Sequence, residues 1–242
     1  MGKQLDITVT VGSNGDYQKI SDALTYLRTL MHKNIRATIK LLSGFVVSEQ
    51  VVVDNDNFGW VRIEGEDDYT TGTHTFGAHQ PLFLATNNSV FPVIAQSFYI
   101  NSGTNGVIMN VTGNSSARIE EGITLKNTGN LSIGINVLQN SFLYARNITV
   151  EVSTFPIRAY SASSVYAENC TLSHTYTGST WNAIEIYDGS LYNMMYSVID
   201  NRSSAPDLFL ERGAQVIAVG TTLTKPLPQA ANTVTANGII YR

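Results

Sequence analysis

Two glutamates in the second half of the chain are the side chains best suited by type to acid–base chemistry. Glu168 lies in the segment SVYAENCTL, which begins at Ser164, and Glu185 lies in the short apolar run Ile184–Ile186. A glycoside hydrolase uses two carboxyl groups about 5 to 9 Å apart. A polysaccharide lyase instead needs a base and a group that neutralises charge. Glu168 and Glu185 are therefore the candidate catalytic residues.

Pairing between repeated segments is a competing explanation for these charges. SFLYARNITV, which begins at Ser141, nearly repeats the segment of Glu168 and carries Arg146 at the matching position. Arg158 holds the matching position to Glu185. Opposite charges at equal positions of stacked repeats lie side by side and help to fix the register. The same alignment places further titratable residues at matching or adjacent positions: Glu121, Lys126, Glu151, His174, Asp200 and Lys225. A structural role is therefore favoured over a catalytic one.

Aromatic residues provide the candidates for sugar binding. Tyr160 and Tyr187 are predicted to point outward from one strand position, with Trp181 in the longer loop of the same repeat. Three more tyrosines are predicted to share another outward position and to stack: Tyr144, Tyr166 and Tyr192. Such rings can bind sugar, contact another subunit or simply pack on one another. The candidate ligand-binding residues are Tyr160, Trp181, Tyr187 and Tyr166.

No metal, cofactor or phosphate site is predicted. We interpret the acidic stretch from Glu64 to Asp68 as a solvated loop, with a Ca²⁺ site as the alternative, although the spacing matches no EF-hand. His74 and His79 could lie in a groove with these acids. The glycine-containing run that begins at Val11, VGSNGD, lacks the Lys-Ser/Thr pair of a P-loop. The one cysteine, Cys170, excludes an internal disulfide and is expected in the core.

The overall composition excludes several classes of partner. The 242 residues are 43% hydrophobic and 14% charged, and the formal net charge is −4. Nucleic acid is therefore not an expected partner, because no basic footprint is present. The N-terminal residues have no apolar core of a signal peptide, and no apolar run reaches membrane-spanning length. We expect no membrane insertion and no secretory signal.

Two short units recur along the second half of the chain. The first is an x-Thr-aliphatic unit repeated every 22 to 26 residues: Ile123-Thr124-Leu125, Ile148-Thr149-Val150, Cys170-Thr171-Leu172, Tyr196-Ser197-Val198 and Thr221-Thr222-Leu223. The second is an apolar triplet: Ile135-Asn136-Val137, Ile157-Arg158-Ala159, Ile184-Glu185-Ile186 and Leu208-Phe209-Leu210. Repeats of this length that vary by a few residues are typical of solenoids.

The residue before each x-Thr-aliphatic unit indicates the architecture. These residues are Gly122, Asn147, Asn169, Met195 and Gly220. Glycine and asparagine adopt a positive φ most easily, so four of the five predict a tight corner, and Met195 does not fit. Each repeat is then strand, corner, strand, loop and strand. That is one coil of a parallel β-helix, with coils about 4.8 Å apart.

One amphipathic helix precedes the coils. Its apolar face consists of Ile20, Ala23, Leu24, Leu27, Leu30 and Met31. The pattern predicts a helix over Tyr17–Met31 with Asp16 as the N-cap.

A helix followed by such coils resembles the pectin-lyase-like right-handed parallel β-helix family. The run Val9 to Leu27, VTVGSNGDYQKISDALTYL, looks like the opening of bacteriophage tailspike and tail-fibre β-helix domains. The resemblance covers this motif and roughly 110 residues of coil. It implies an all-β fold, a single-stranded right-handed parallel β-helix (solenoid) with a short N-terminal capping α-helix. The expected organisation is one domain, 1–242, with strand and cap in 1–34 and seven or eight coils in 35–242.

The resemblance also implies a function. It is that of a phage or prophage spike or fibre module, at the virion or extracellular surface, that recognises host cell-surface polysaccharide as a homotrimer beside other virion proteins. Alternatives with the same fold are a polysaccharide lyase or glycoside hydrolase and a purely structural virion segment. The small number of coils and the charge pairing favour binding over catalysis.

Overall fold

The computed structural model describes residues 5–30, 35–74, 79–102, 105–178, 180–225 and 238–241. Within them the chain forms a parallel β-solenoid of about eight turns, with one short helix near the N-terminus. Each coil contributes successive strands to three parallel sheets, called sheet 1, sheet 2 and sheet 3, which contain ten, eight and seven strands. Among the described residues, no helix is long and apolar enough to cross a membrane. The expected fold is confirmed.

The strands are numbered in chain order. Sheet 1 contains β1 (Leu5–Val11), β2 (Ile35–Leu41), β5 (Val61–Gly65), β8 (Val93–Ile94), β11 (Ser116–Ile119), β14 (Phe142–Ala145), β17 (Ser164–Tyr166), β20 (Leu191–Asn193), β23 (Ala214–Ile217) and β25 (Gly238–Tyr241). Sheet 2 contains β3 (Val46–Val47), β6 (Tyr69–His74), β9 (Ser97–Ser102), β12 (Thr124–Asn127), β15 (Thr149–Val152), β18 (Thr171–His174), β21 (Val198–Asn201) and β24 (Thr222–Leu223). Sheet 3 contains β4 (Val51–Asp54), β7 (Pro81–Thr86), β10 (Val107–Val111), β13 (Ile133–Val137), β16 (Ile157–Ala159), β19 (Ile184–Ile186) and β22 (Leu208–Leu210).

The capping helix α1 spans Ile20–Arg28, which is shorter than predicted. Its buried face, Ile20, Ala23, Leu24 and Leu27, packs on the first coil. The predicted N-cap is wrong. Asp16 instead accepts hydrogen bonds of 2.8 Å from the backbone N–H and the hydroxyl of Thr10, and Tyr17 stays extended beside Val11.

A side chain from the first coil accepts hydrogen bonds from the backbone N–H groups at the start of α1. The carboxylate of Glu49 accepts a hydrogen bond of 2.6 Å from the backbone N–H of Ile20 and another from Ser21. A negative charge there complements the helix dipole and two of its unpaired N–H groups.

Strand pairing confirms most of the predicted repeat. Thr124 lies opposite Thr149, which lies opposite Thr171, and the second unit pairs Ile135 with Ile157. Buried and exposed side chains alternate along the strands, as expected. Cys170 lies in the core, as predicted, and burial raises the pKa of its thiol to about 11.

The register of one predicted coil is wrong by one residue. Val198, not Ser197, lies opposite Thr171, so the corner residue is Tyr196 rather than Met195. Tyr196 has φ 56°, matching the positive φ of the other four corners: Gly122, Asn147, Asn169 and Gly220. The residue that did not fit the pattern was therefore misaligned. The solenoid accepts a tyrosine in the left-handed region at this corner.

The same error misplaced two side chains. Tyr192 lies opposite Val165 and is fully buried, so Asn193 takes the outward position beside Tyr166. Asp200 lies opposite Ser173, and the buried His174 lies opposite Asn201. The prediction that His174 and Asp200 occupy the same position in neighbouring coils is therefore wrong.

A second repeated corner, between sheet 3 and sheet 1, was not predicted. It consists of two residues, with positive φ at both in most coils, followed by a buried serine: Ser89, Ser115, Ser141, Ser163 and Ser190. The backbone N–H of each of the first four serines donates to the hydroxyl of the serine in the next coil, over distances of 3.0 to 3.3 Å. We call this row the serine ladder. It satisfies buried backbone donors that the corner takes out of the sheets.

Candidate functional site

Glu168 lies at the corner between sheet 1 and sheet 2, and its carboxylate is engaged locally. Its Oε2 accepts a hydrogen bond of 2.5 Å from the hydroxyl of Tyr166 and lies 3.5 Å from Nε of Arg146. The predicted charge pairing with Arg146 is confirmed, as is the pairing of Lys126 with Glu151 at 2.8 Å. This geometry favours a structural role for Glu168.

Glu185 lies on a different wall of the solenoid, in β19 of sheet 3. Its side chain is almost buried, with 9% of the residue exposed, and Oε2 accepts a hydrogen bond of 2.7 Å from the hydroxyl of Tyr160. Burial raises the pKa of the carboxyl group, and the hydrogen bond from Tyr160 and the charge of Arg158 partly offset that rise. A buried carboxyl group with a perturbed pKa is a typical component of a functional site.

Arg158 lies opposite Glu185 in the register, as predicted, but the two side chains form no ion pair. Nε of Arg158 donates a hydrogen bond of 2.8 Å to Oδ1 of Asn136, and its guanidinium carbon lies 4.5 Å from the ring centre of Phe155. The same carbon lies 5.4 Å from the ring centre of Tyr160. Arg158 therefore links two aromatic groups.

These aromatic groups form the predicted patch and extend it. The rings of Tyr160 and Tyr187 stack with centres 4.6 Å apart and planes 10° apart. Trp181, which is 42% exposed, stacks on Phe155 with centres 5.7 Å apart. The sequence did not single out Phe155, which comes from the loop between β15 and β16 just before Pro156. An aromatic residue next to a proline in a loop was the available signal.

A pocket of about 330 Å³ lies beside these rings. We call it the aromatic pocket, and its lining residues are His79, Asn105, Leu131, Ile133, Thr154, Phe155, Arg158, Trp181 and Glu185. It combines flat apolar surfaces with one cation and one carboxyl group. Apolar walls with a few polar groups are usual for small-molecule sites. His79 was predicted near the acidic stretch and lines this pocket instead.

Carboxylates of the acidic stretch are engaged in hydrogen bonds and ion pairs. Glu66 lies 3.0 Å from the ammonium group of Lys40, and Asp67 accepts hydrogen bonds of 2.8 Å from Ser43 and Gly44. These interactions lower the pKa of both carboxyl groups. No group of three or more potential metal ligands occurs within the part of the chain that the structure describes. The side chain of His74 lies outside the described residues.

Tyr166, the fourth candidate ligand residue, lies on sheet 1, away from the aromatic pocket. Its ring stacks on Tyr144 with centres 5.2 Å apart and planes 3° apart. The guanidinium carbon of Arg118, one coil earlier, lies 5.6 Å from the Tyr144 ring centre. The outward row therefore consists of Arg118, Tyr144, Tyr166 and Asn193, with Asn193 in the position predicted for Tyr192.

Comparisons with models of known protein families and with characterised proteins find no match to this chain. The solenoid and the chemistry of its outer walls therefore carry the functional argument.

Proposed function

We propose that the chain is a module of a phage or prophage spike or fibre that recognises host cell-surface polysaccharide, and that the aromatic pocket holds the sugar. The observation that carries the proposal is the exposed ring of Trp181, stacked on Phe155 beside Arg158 and Glu185. Sugar rings have apolar C–H faces that pack on aromatic rings, and hydroxyl groups that bond to charged side chains. The resemblance of Val9 to Leu27 to phage β-helix domains supports the choice of virion and host.

Recognition is favoured over cleavage by the count of carboxyl groups. Glu185 is the one carboxyl group among the described residues that line the pocket. Glu168 lies at the corner of sheets 1 and 2 and is bonded to Tyr166. A glycoside hydrolase would require a second carboxyl group across the bound sugar.

Polysaccharide cleavage is the second candidate function because of one observation. The raised pKa of Glu185 suits a general acid, and the neighbouring Arg158 suits the neutralisation of charge. Tyr160 does not suit the role of base, since burial raises the pKa of its hydroxyl well above the usual value.

The test is to incubate the purified chain with a panel of bacterial capsular and O-antigen polysaccharides. We expect retention of at least one glycan, without release of reducing ends or unsaturated sugars. Trp181→Ala should weaken binding at least tenfold, or about 1.4 kcal/mol. Tyr69→Ala on sheet 2 is a matched control that removes another exposed ring. Release of products would establish the enzyme, and failure to bind any glycan would leave a purely structural virion segment.

We also propose that the module assembles as a homotrimer with other virion proteins around it. Large apolar side chains are exposed on sheets 1 and 2, including Leu191 and Val198. Such surface suits contact between subunits. Sedimentation analysis should give three times the chain mass of 26.4 kDa. A monomer at every concentration would contradict the trimer without bearing on the aromatic pocket.

A further inference from the structure

Sheet 1 carries a second concave surface that the proposed function does not use. Two adjoining hollows of about 410 and 390 Å³ share Gly59, Val93 and Arg118, and so form one continuous depression. We call it the sheet 1 groove. The residues that matter for its chemistry are Arg36, Trp60, Arg62, Val93, Arg118 and Tyr144.

The strand register explains why the groove exists. Val93 lies between Arg62 and Arg118 in one outward row, and the next member of that row is Tyr144. Val93 of strand β8 has a much shorter side chain than the arginine on each side, and this leaves a depression in the row. From β2 to β14 the groove crosses four coil spacings, or about 19 Å. That length suits a chain of linked units better than a single small molecule.

The arginines of the groove are not all neutralised. Arg62 is paired with Glu64 at 3.1 Å and also with Glu120. Neither Arg36 nor Arg118 forms an ion pair with any carboxylate among the described residues, although Asp6 lies opposite Arg36 in the register.

Arg36 and Arg118 therefore place positive charge along the groove of a chain whose net charge is −4. Since Arg118 is exposed beside the ring of Tyr144, its planar guanidinium is available for a second partner. Arginines placed along one groove attract anions, and the planar fork of an arginine matches a carboxylate.

We propose that the sheet 1 groove binds an acidic oligosaccharide, with the acidic group of a sugar on Arg118 and sugar rings against Tyr144 and Trp60. An inorganic anion would use only the arginines, whereas the apolar walls provided by Val93, Trp60 and Tyr144 suit sugar rings. The inference rests on the proposed function for the choice of a saccharide. It adds an acidic glycan as the class of ligand and a binding surface separate from the aromatic pocket.

The chain contains two tryptophans, and each lies in one of the two surfaces. Trp181→Phe leaves Trp60 as the reporter of the groove, and Trp60→Phe leaves Trp181 as the reporter of the pocket. Each variant is titrated with oligogalacturonate, a sulfated dextran oligosaccharide, polyglutamate and neutral dextran of similar length. We expect a saturable change of Trp60 fluorescence with one or both acidic sugars, weakened by salt. The carboxylated and sulfated arms identify which acidic group is bound.

Arg118→Gln should weaken this response about tenfold or more, and Arg118→Lys should weaken it less. Arg202→Gln is the control, because it removes an exposed arginine that follows β21 and does not line the groove. The inference is overturned if neutral dextran binds equally, if polyglutamate binds equally, if Arg118→Gln has no effect or if neither acidic sugar changes Trp60 fluorescence. A Trp60 response without any Trp181 response to the polysaccharide panel would support the groove and contradict the aromatic pocket.

Discussion

The hydroxyl of Tyr160 donates a hydrogen bond of 2.7 Å to Oε2 of Glu185, one coil further along sheet 3. The ring of Tyr160 also stacks on Tyr187. One tyrosine therefore fixes the carboxyl group of the aromatic pocket and joins two coils. A substitution of Tyr160 would therefore alter both the pocket and the stacking of the coils.

Tyr160→Phe should destabilise the protein by about 1–3 kcal/mol at pH 7, because a buried carboxyl oxygen loses its donor. The pKa of Glu185 should rise further, since the lost hydrogen bond lowered it. A carboxyl group with a raised folded-state pKa loses its stabilising contribution as pH rises through that pKa. The penalty should therefore be larger at pH 8 than at pH 4.5. Urea unfolding at both pH values measures it.

Tyr187→Phe is the control, because it keeps the stacked ring and removes a hydroxyl not bonded to Glu185. It should change stability by less than about 0.5 kcal/mol. Equal effects of the two substitutions would show that the Tyr160–Glu185 bond contributes nothing specific.

The serine ladder should be visible in stability. Ser163→Ala removes the acceptor of the Ser141 N–H and the donor to the Tyr160 carbonyl, at 3.3 and 2.7 Å. Unfolding free energy should fall by about 1–3 kcal/mol, because buried groups stay unpaired. Ser164→Ala, one residue on and half-buried, should cost less than about 0.5 kcal/mol. The ladder has no energetic role if chemical denaturation gives the same midpoint for both.

Gly220 should tolerate a side chain less well than Gly122, although both are corner residues with positive φ, 67° and 80°. Alanine at either position incurs the left-handed backbone cost of about 1–2 kcal/mol. A Cβ at Gly220 would also lie 2.5 Å from Cδ1 of Tyr196, whereas nothing lies within 4 Å of one at Gly122. Gly220→Ala should therefore lower the thermal midpoint more than Gly122→Ala.

Tyr196→Ala provides a rescue, because it removes the ring that a Cβ at position 220 would meet. In a double-mutant cycle, Gly220→Ala should cost less in the Tyr196→Ala background than in the natural chain. Additive effects would contradict the predicted clash.

Acid should weaken the last coils through His174. This residue is fully buried, and neither ring nitrogen has a hydrogen-bond partner of good geometry, although backbone groups of Tyr176 and Asn182 lie nearby. Burial, with a smaller contribution from the charge of Lys225, lowers the pKa of His174 from 6.5 to about 4. The contribution of the neutral His174 ring to the free energy of unfolding is fully present above pH 6.5, and it is lost as the pH falls towards 4. The loss between pH 7.5 and pH 5 should be about 2 kcal/mol.

His174→Val isolates this contribution, because Val152 occupies the same position one coil earlier. The variant should lose the extra acid sensitivity in urea unfolding. Burial raises the pKa of Asp207, which acts in the opposite direction and is present in both proteins. Identical pH dependence of the two proteins would rule out His174 as the source.

Much of the fold could be predicted because its coils repeat. Thr124 and Thr149 occupy equivalent positions in segments of similar sequence, and the corner residues Gly122 and Asn147 follow from backbone sterics. Tyr196 could not be predicted as a corner residue, since a tyrosine with positive φ is held there by hydrogen bonds to neighbouring coils, such as Tyr196 N–H to Val219. The serine ladder could have been found, because its serines recur with the same period.

The candidate site was only partly predictable for a different reason. Tyr160 and Tyr187 follow the strand repeat, and so their shared face was foreseen. Phe155 and His79 come from loops, whose paths depend on tertiary packing rather than on a repeated pattern. That Phe155 and His79 line one pocket with Trp181 therefore could not be predicted from the repeat.

The 22-residue coil between the corners Asn147 and Asn169 has matching ends, since the Asn147 N–H bonds to Glu168 and the Asn169 N–H bonds to Met195. Removing or duplicating such a unit would reconnect equivalent corners and leave the cross-section unchanged. Each step would shift the surfaces on either side by about 4.8 Å along the axis. The coil is thus a unit of length, by which the solenoid could lengthen or shorten in discrete steps without a change in its cross-section.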